Sequence, residues 1–156
     1  MQYSFRFWDY VYCYMTPYNI RIQENGLPVL FDVSVALPLG SPVSAIFDPH
    51  SFPMEVLLEE CVAEPTIDIY SLGTNIYYAL TGKSYNAAFL SKGCVSVENM
   101  EGVSDGVKFI LKKCLQPYPK DRYQNFKELL SDLENIDKLQ ITKKKTAFFK
   151  KIFKIF

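Results

Sequence analysis

The sequence predicts a mainly α-helical body carrying one small β-hairpin. Three observations point there. Apolar residues recur at helical spacing within 65–82, 104–115 and 125–136. Two short apolar runs flank the turn Glu24-Asn25-Gly26. The 156 residues are 49% hydrophobic and 22% charged, a globular composition with enough chain for one domain and a buried core.

Taken in order, residues 19–23 and 27–32 form the two arms of the hairpin. Residues 33–54, "VSVALPLGSPVSAIFDPHSFPM", hold four prolines and no period, so they read as a long loop. A short helix is expected near Glu55. Pro65 then opens a helix in which Ile69, Leu72, Ile76, Tyr77 and Leu80 share a face, and Gly82 ends it. Tyr70, Gly73 and Tyr78 make its other face nearly as apolar, which places this helix at the centre of the domain. In the next helix, 104–115, Ser104 stands at the cap while Val107, Ile110, Leu111 and Leu115 face inward. The third carries Phe126, Leu129, Leu130, Leu133 and Ile136 on one side.

Charge is unevenly placed. Residues 1–137 hold ten basic against seventeen acidic side chains, a formal −7, and residues 138–156 hold seven basic and no acidic ones. An acidic body whose basic residues are not clustered makes nucleic acid a poor partner. The tail, Lys143 to Phe156, reads "KKKTAFFKKIFKIF". On a helix its Phe and Ile residues fall on one side and Lys150, Lys151 and Lys154 on the other. Such a segment fits an anionic membrane surface; a docking helix for another protein and the start of a longer juxtamembrane region are the rival readings. The four cysteines, at 13, 61, 94 and 114, lack the close spacing of zinc sites. The N-terminus is a weak signal peptide, and no apolar run nears the roughly twenty residues of a membrane-spanning helix. A cytoplasmic location, with peripheral membrane contact through the tail, is the expectation.

The order of short motifs resembles the C-terminal lobe of a bacterial-type serine/threonine protein kinase, truncated and degenerate. "YCYMTPYN" (12–19) stands where that family has its catalytic loop, and "FDVS" (31–34) stands at D-F-G. "FPME" (52–55) stands at A-P-E, "DIYSLG" (68–73) opens the central helix, and "PYPKDR" (117–122) matches a late P-x-x-R element. No single match is specific; five in order at fitting intervals carry the resemblance. It divides the chain into an irregular segment 1–11, a kinase-like lobe 12–137 and the basic amphipathic tail 138–156.

By this resemblance, the retained residues are structural. Asp68 would accept hydrogen bonds from the catalytic-loop backbone, Glu55 and Arg122 would form an ion pair, and Gly73 would allow close packing. For Glu55 and Arg122 the alternative is a pair of solvated surface charges. The lost residues are chemical. Tyr14 occupies the catalytic Asp position, where a neutral phenol is no base. Thr16 replaces the Lys, Cys13 the Arg that would read a phosphorylated loop, and Tyr12 the His. Asp32 remains at D-F-G, but Val33 and Ser34 follow it.

Asn19 and Asp32 match the family's two Mg²⁺ ligands. Either they retain vestigial Mg²⁺ and ATP contact, or Asn19 caps its loop and Asp32 ends a strand. The second reading is favoured, because two oxygens without phosphates hold Mg²⁺ poorly. His50 and Ser41, Ser44 and Ser51 lie in the loop, with neither a triad nor a phosphate-reading Arg at hand. Only eleven residues precede the motif, so a glycine-rich loop, strand lysine and partner glutamate are not expected. Three functions follow: an inactive kinase-like lobe serving as a protein-binding module, a gene remnant, or half of an enzyme completed by a separate N-lobe.

Overall fold

The computed structural model describes residues 9–43, 52–57, 60–85 and 96–136. His50, Ser44, Ser51, Cys94 and the tail Lys143–Phe156 lie outside them. Among the described residues, three α-helices and two small antiparallel ribbons, joined by short 3-10 turns, make up the architecture.

The predicted hairpin is present. Strands β2 (Ile20–Ile22) and β3 (Pro28–Leu30) pair antiparallel, with Ile20 opposite Leu30. Gly26 takes φ 77 in the turn between them, a conformation a Cβ disfavours. The second ribbon was not foreseen. Strand β1 (Tyr10–Val11) pairs with β4 (Leu37–Pro38), so the 1–11 segment ends in a strand and is not irregular throughout. Likewise, part of the 33–54 loop is ordered by pairing: beyond β4, Gly40 and Val43 donate to the carbonyls of Ala63 and Cys61, and Ala63 donates back to Ser41. Such pairs join residues 18 or more positions apart and leave no periodic trace in runs this short.

Near Glu55 the chain makes a single 3-10 turn, Met54–Leu57. Helix α1 spans Pro65–Thr81, with Pro at its first position and Gly82 at φ 69 as its cap. Every residue from Thr66 to Tyr77 is buried, as an all-round apolar helix requires. Tyr78 differs from the expectation: it is 43% exposed, because the last turn emerges from the core.

Helix α2 (Asp105–Cys114) buries Val107, Ile110 and Leu111. Its N-cap residue is Ser104, but that hydroxyl makes no capping bond and is buried with no partner among the described residues. Helix α3 (Phe126–Glu134) is capped by Asn125, whose side chain accepts from Glu128 N at 3.0 Å, while Glu128 reaches back to Gln124 N. Leu129, Leu133 and Ile136 are buried, with Phe126 and Leu130 packed beside them.

The apolar interior falls into two groups. The larger lies among the three helices and includes Met15, Tyr77 and Tyr123; the smaller includes Val11, Cys13, Phe52 and Ile67. Gly73 sets the approach of α1 to α2. A Cβ there would lie 2.8 Å from Cys114 Cβ and 3.1 Å from Leu115 Cδ2. Gly73→Ala is therefore expected to destabilise the fold. Overpacking of about 1–3 kcal/mol outweighs the roughly 1 kcal/mol gained from helix propensity. A urea midpoint at or above that of the wild type would contradict this.

Candidate functional site

The loop 12–19 is fastened to α1 by side chains of the helix. Asp68 Oδ2 accepts Tyr12 N at 2.7 Å, and Oδ1 accepts Cys13 N at 2.8 Å. Two turns along, Asn75 Nδ2 donates to Met15 O at 2.9 Å. These bonds hold Cys13 at φ 57, a left-handed conformation that costs a non-glycine residue about 1–2 kcal/mol. Burial pushes the Asp68 carboxyl up to about 6, against the opposing pull of its two N–H donors. Burial, with help from the Asp68 carboxylate, also pushes the Cys13 thiol up to about 12, so it is no thiolate nucleophile near neutral pH.

Tyr12 has a role that the sequence reading missed. Its phenol donates to Phe31 O and to Asp32 O, the latter at 3.3 Å. Burial, then the Asp32 and Asp68 carboxylates, push that phenol up to about 12, so it stays a donor. Asp32 itself sits at φ 59. Among the described residues, Cys13 and Asp32 are the non-glycine positions with positive φ, and both lie at this site. A tyrosine's length was the available signal, since it reaches across a neighbouring strand.

Tyr14 is half-buried and packs against both apolar groups, its ring centroid 6.2 Å from that of Phe52. Thr16 is 2% exposed. Asn19 spends its amide within its own loop: Oδ1 accepts Thr16 N at 2.8 Å and Nδ2 donates to Tyr14 O. Asp32 is exposed, and its Oδ1 accepts the Ser34 hydroxyl. This donor set does not fit a Mg²⁺ site of its own. Asn19 Oδ1 and Asp32 Oδ1 each already accept a hydrogen bond, and no group of three His, Cys, Asp or Glu side chains that could hold a metal ion occurs among the described residues.

Glu55 and Arg122 meet in a forked ion pair, Nη1 to Oε1 at 2.5 Å and Nη2 to Oε2 at 3.0 Å. The Arg122 side chain is fully buried. Its remaining N–H groups go to the carbonyls of Gln116, Thr66 and Pro117, and Tyr70 lies 4.6 Å from the guanidinium as a stacking face. Residues 67 positions apart are thereby pinned together, with Gln116 and Pro117 supplying acceptors that no motif announced. Ser41 donates its backbone N–H to Pro38 O and shows no link to this pair. No described helix is long and apolar enough to cross a membrane.

No family model matches the chain. Over 137 residues it is 24% identical to a protein named "probable serine/threonine-protein kinase" from Clostridium perfringens, covering 78% of this chain and 20% of that one. The solved structure of the Cydia pomonella granulovirus kinase PK-1 superposes with a TM-score of 0.65 at 14% identity, over 80% of this chain and 50% of that one. The chain thus spans a fifth of the length of the bacterial relative and half of the viral kinase. Helices and small antiparallel ribbons in this arrangement, with Asp68 and Arg122 placed as described, give one conclusion: the chain has a protein kinase-like fold.

Proposed function

We propose that this chain is the C-terminal lobe of a serine/threonine kinase-like fold that keeps the architecture, has lost phosphoryl transfer, and serves as a binding module. The observation that carries the reading is the contrast within one loop. The groups that hold it, Asp68 and Asn75, are in place. The position of the proton acceptor carries the Tyr14 ring, packed against apolar neighbours. Phosphoryl transfer rests on positioning and charge, and here Tyr14 and Thr16 supply neither an acceptor for the hydroxyl proton nor a cation. Nor do the 156 residues contain a G-x-G-x-x-G sequence that would cover the phosphates.

The test uses radiolabelled ATP, Mg²⁺ and a generic protein substrate with the wild type, Tyr14→Asp/Thr16→Lys and Asp32→Ala. No transfer above background is expected from any of the three. The double variant regains a group worth typically 10²–10⁴-fold in rate but still lacks phosphate-holding parts. It also places a carboxylate and an ammonium where the native chain has a half-buried ring and a buried Thr16. Nucleotide contact through Asn19 and Asp32 is expected to be no more than a small Mg²⁺-dependent thermal shift. Turnover by the wild type that disappears in Asp32→Ala would overturn the proposal.

A further inference from the structure

Neighbours of Tyr14 divide cleanly. Cys13 belongs to the smaller apolar group and Met15 to the larger, while the Tyr14 side chain between them touches both. Its ring stacks on Phe52 at 6.2 Å with the planes 21° apart, within the range of attractive offset aromatic pairs. Phe52 is 7% exposed and leads directly into the turn Met54–Leu57 that presents Glu55. The ring therefore stands at the seam between the two halves of the interior, and its partner belongs to the segment that Arg122 grips.

We infer that Tyr14 is an aromatic strut that fastens the segment 52–57 to the loop 12–19 and holds Glu55 in place for Arg122. The chemistry of the position suits that role. A half-buried seam takes an apolar body with one polar end, which tyrosine has, whereas a short carboxylate there would face two apolar groups without filling either. Asp68 ties the same loop to α1 from the other side, through Tyr12 N and Cys13 N. The loop thus becomes a crosspiece joining α1 to the 52–57 turn. This inference goes beyond the proposed function and stands whether or not the chain transfers phosphate.

Amide hydrogen exchange by NMR on the full chain tests it. The reporter is Val56 N–H, bonded to Pro53 O inside the turn, and the reference is Leu115 N–H, bonded to Leu111 O in the helical core. Tyr14→Leu and Phe52→Leu keep apolar bulk and remove one ring each. Each is expected to speed exchange at Val56 about fivefold relative to Leu115, the scale of one aromatic pair. The double variant should exchange no faster than either single one, and Tyr14→Phe, which keeps the ring, should match the wild type. Effects that multiply in the double variant, or equal acceleration at Val56 and Leu115, would overturn the strut. Should a leucine variant fail to fold, Tyr14→Phe decides: wild-type protection at Val56 supports the strut, and a loss of protection overturns it.

Discussion

Arg122→Ala is expected to lower the stability of the chain by about 3–5 kcal/mol, a large part of the 5–15 kcal/mol typical of a domain. The arithmetic follows from what the guanidinium leaves behind. Glu55 is only 16% exposed, so its carboxylate would lose both forked bonds without full access to water. The carbonyls of Gln116, Thr66 and Pro117 would each lose a charged donor. Tyr70 would lose the planar group stacked on it. Arg122→Lys should recover little, because an ammonium can neither fork onto a carboxylate nor lie flat on a ring. Glu55→Ala should be similarly harmful, and the pair of substitutions together should cost clearly less than their sum. Urea unfolding of the wild type and the four variants measures this. A loss below about 1 kcal/mol with additive effects is what two solvated surface charges would give.

Asp68→Ala is expected to release the loop 12–19 and to change how stability depends on pH. Hydrogen bonds from N–H groups to a charged acceptor contribute about 1.5–3 kcal/mol each, and Asp68 accepts two. Opposing them is burial, which outweighs both bonds and leaves the carboxyl raised from 3.8 to about 6. Because the variant leaves two buried N–H groups without their acceptor, it should still lose about 1–3 kcal/mol at pH 7. The sign of the pH term follows from proton counting. Between about 4 and 6 the folded state binds the Asp68 proton more tightly than the unfolded state does, so wild-type stability from this group is greatest below that window and declines as pH rises through it. The gap between wild type and Asp68→Ala should therefore widen by about 2 kcal/mol on going from pH 7 to pH 4. A gap that stays constant, or narrows toward pH 4, would contradict this. Exchange at the Tyr12 and Cys13 amides should rise in the variant at either pH.

Local features were legible before any coordinates. Helix α1 announced itself by apolar residues on every side, by Pro65 at its start and by Gly82 at its end. The hairpin announced itself by its turn. Asp68, Glu55 and Arg122 were legible as residues whose intervals matched a family pattern, and the hydrogen bonds then showed what each one holds. Periodicity and caps are properties of neighbouring residues, which is why a sequence displays them.

What only the tertiary structure decided is which distant groups share a boundary. The β1–β4 ribbon depends on partners 26 residues apart, Val11 and Leu37, in strands too short to carry a period. Tyr12 read as a lost histidine, yet its phenol spans to the backbone of Phe31 and Asp32. Tyr14 read as a lost acid, and only the position of Phe52, 38 residues on, showed a ring filling a seam. Ser104 had the identity of a cap, but the cap depends on a side-chain rotamer that its surroundings chose otherwise. A residue's type limits what it can do, but burial and partners select among those possibilities, and both are sums over contacts that the linear order does not contain.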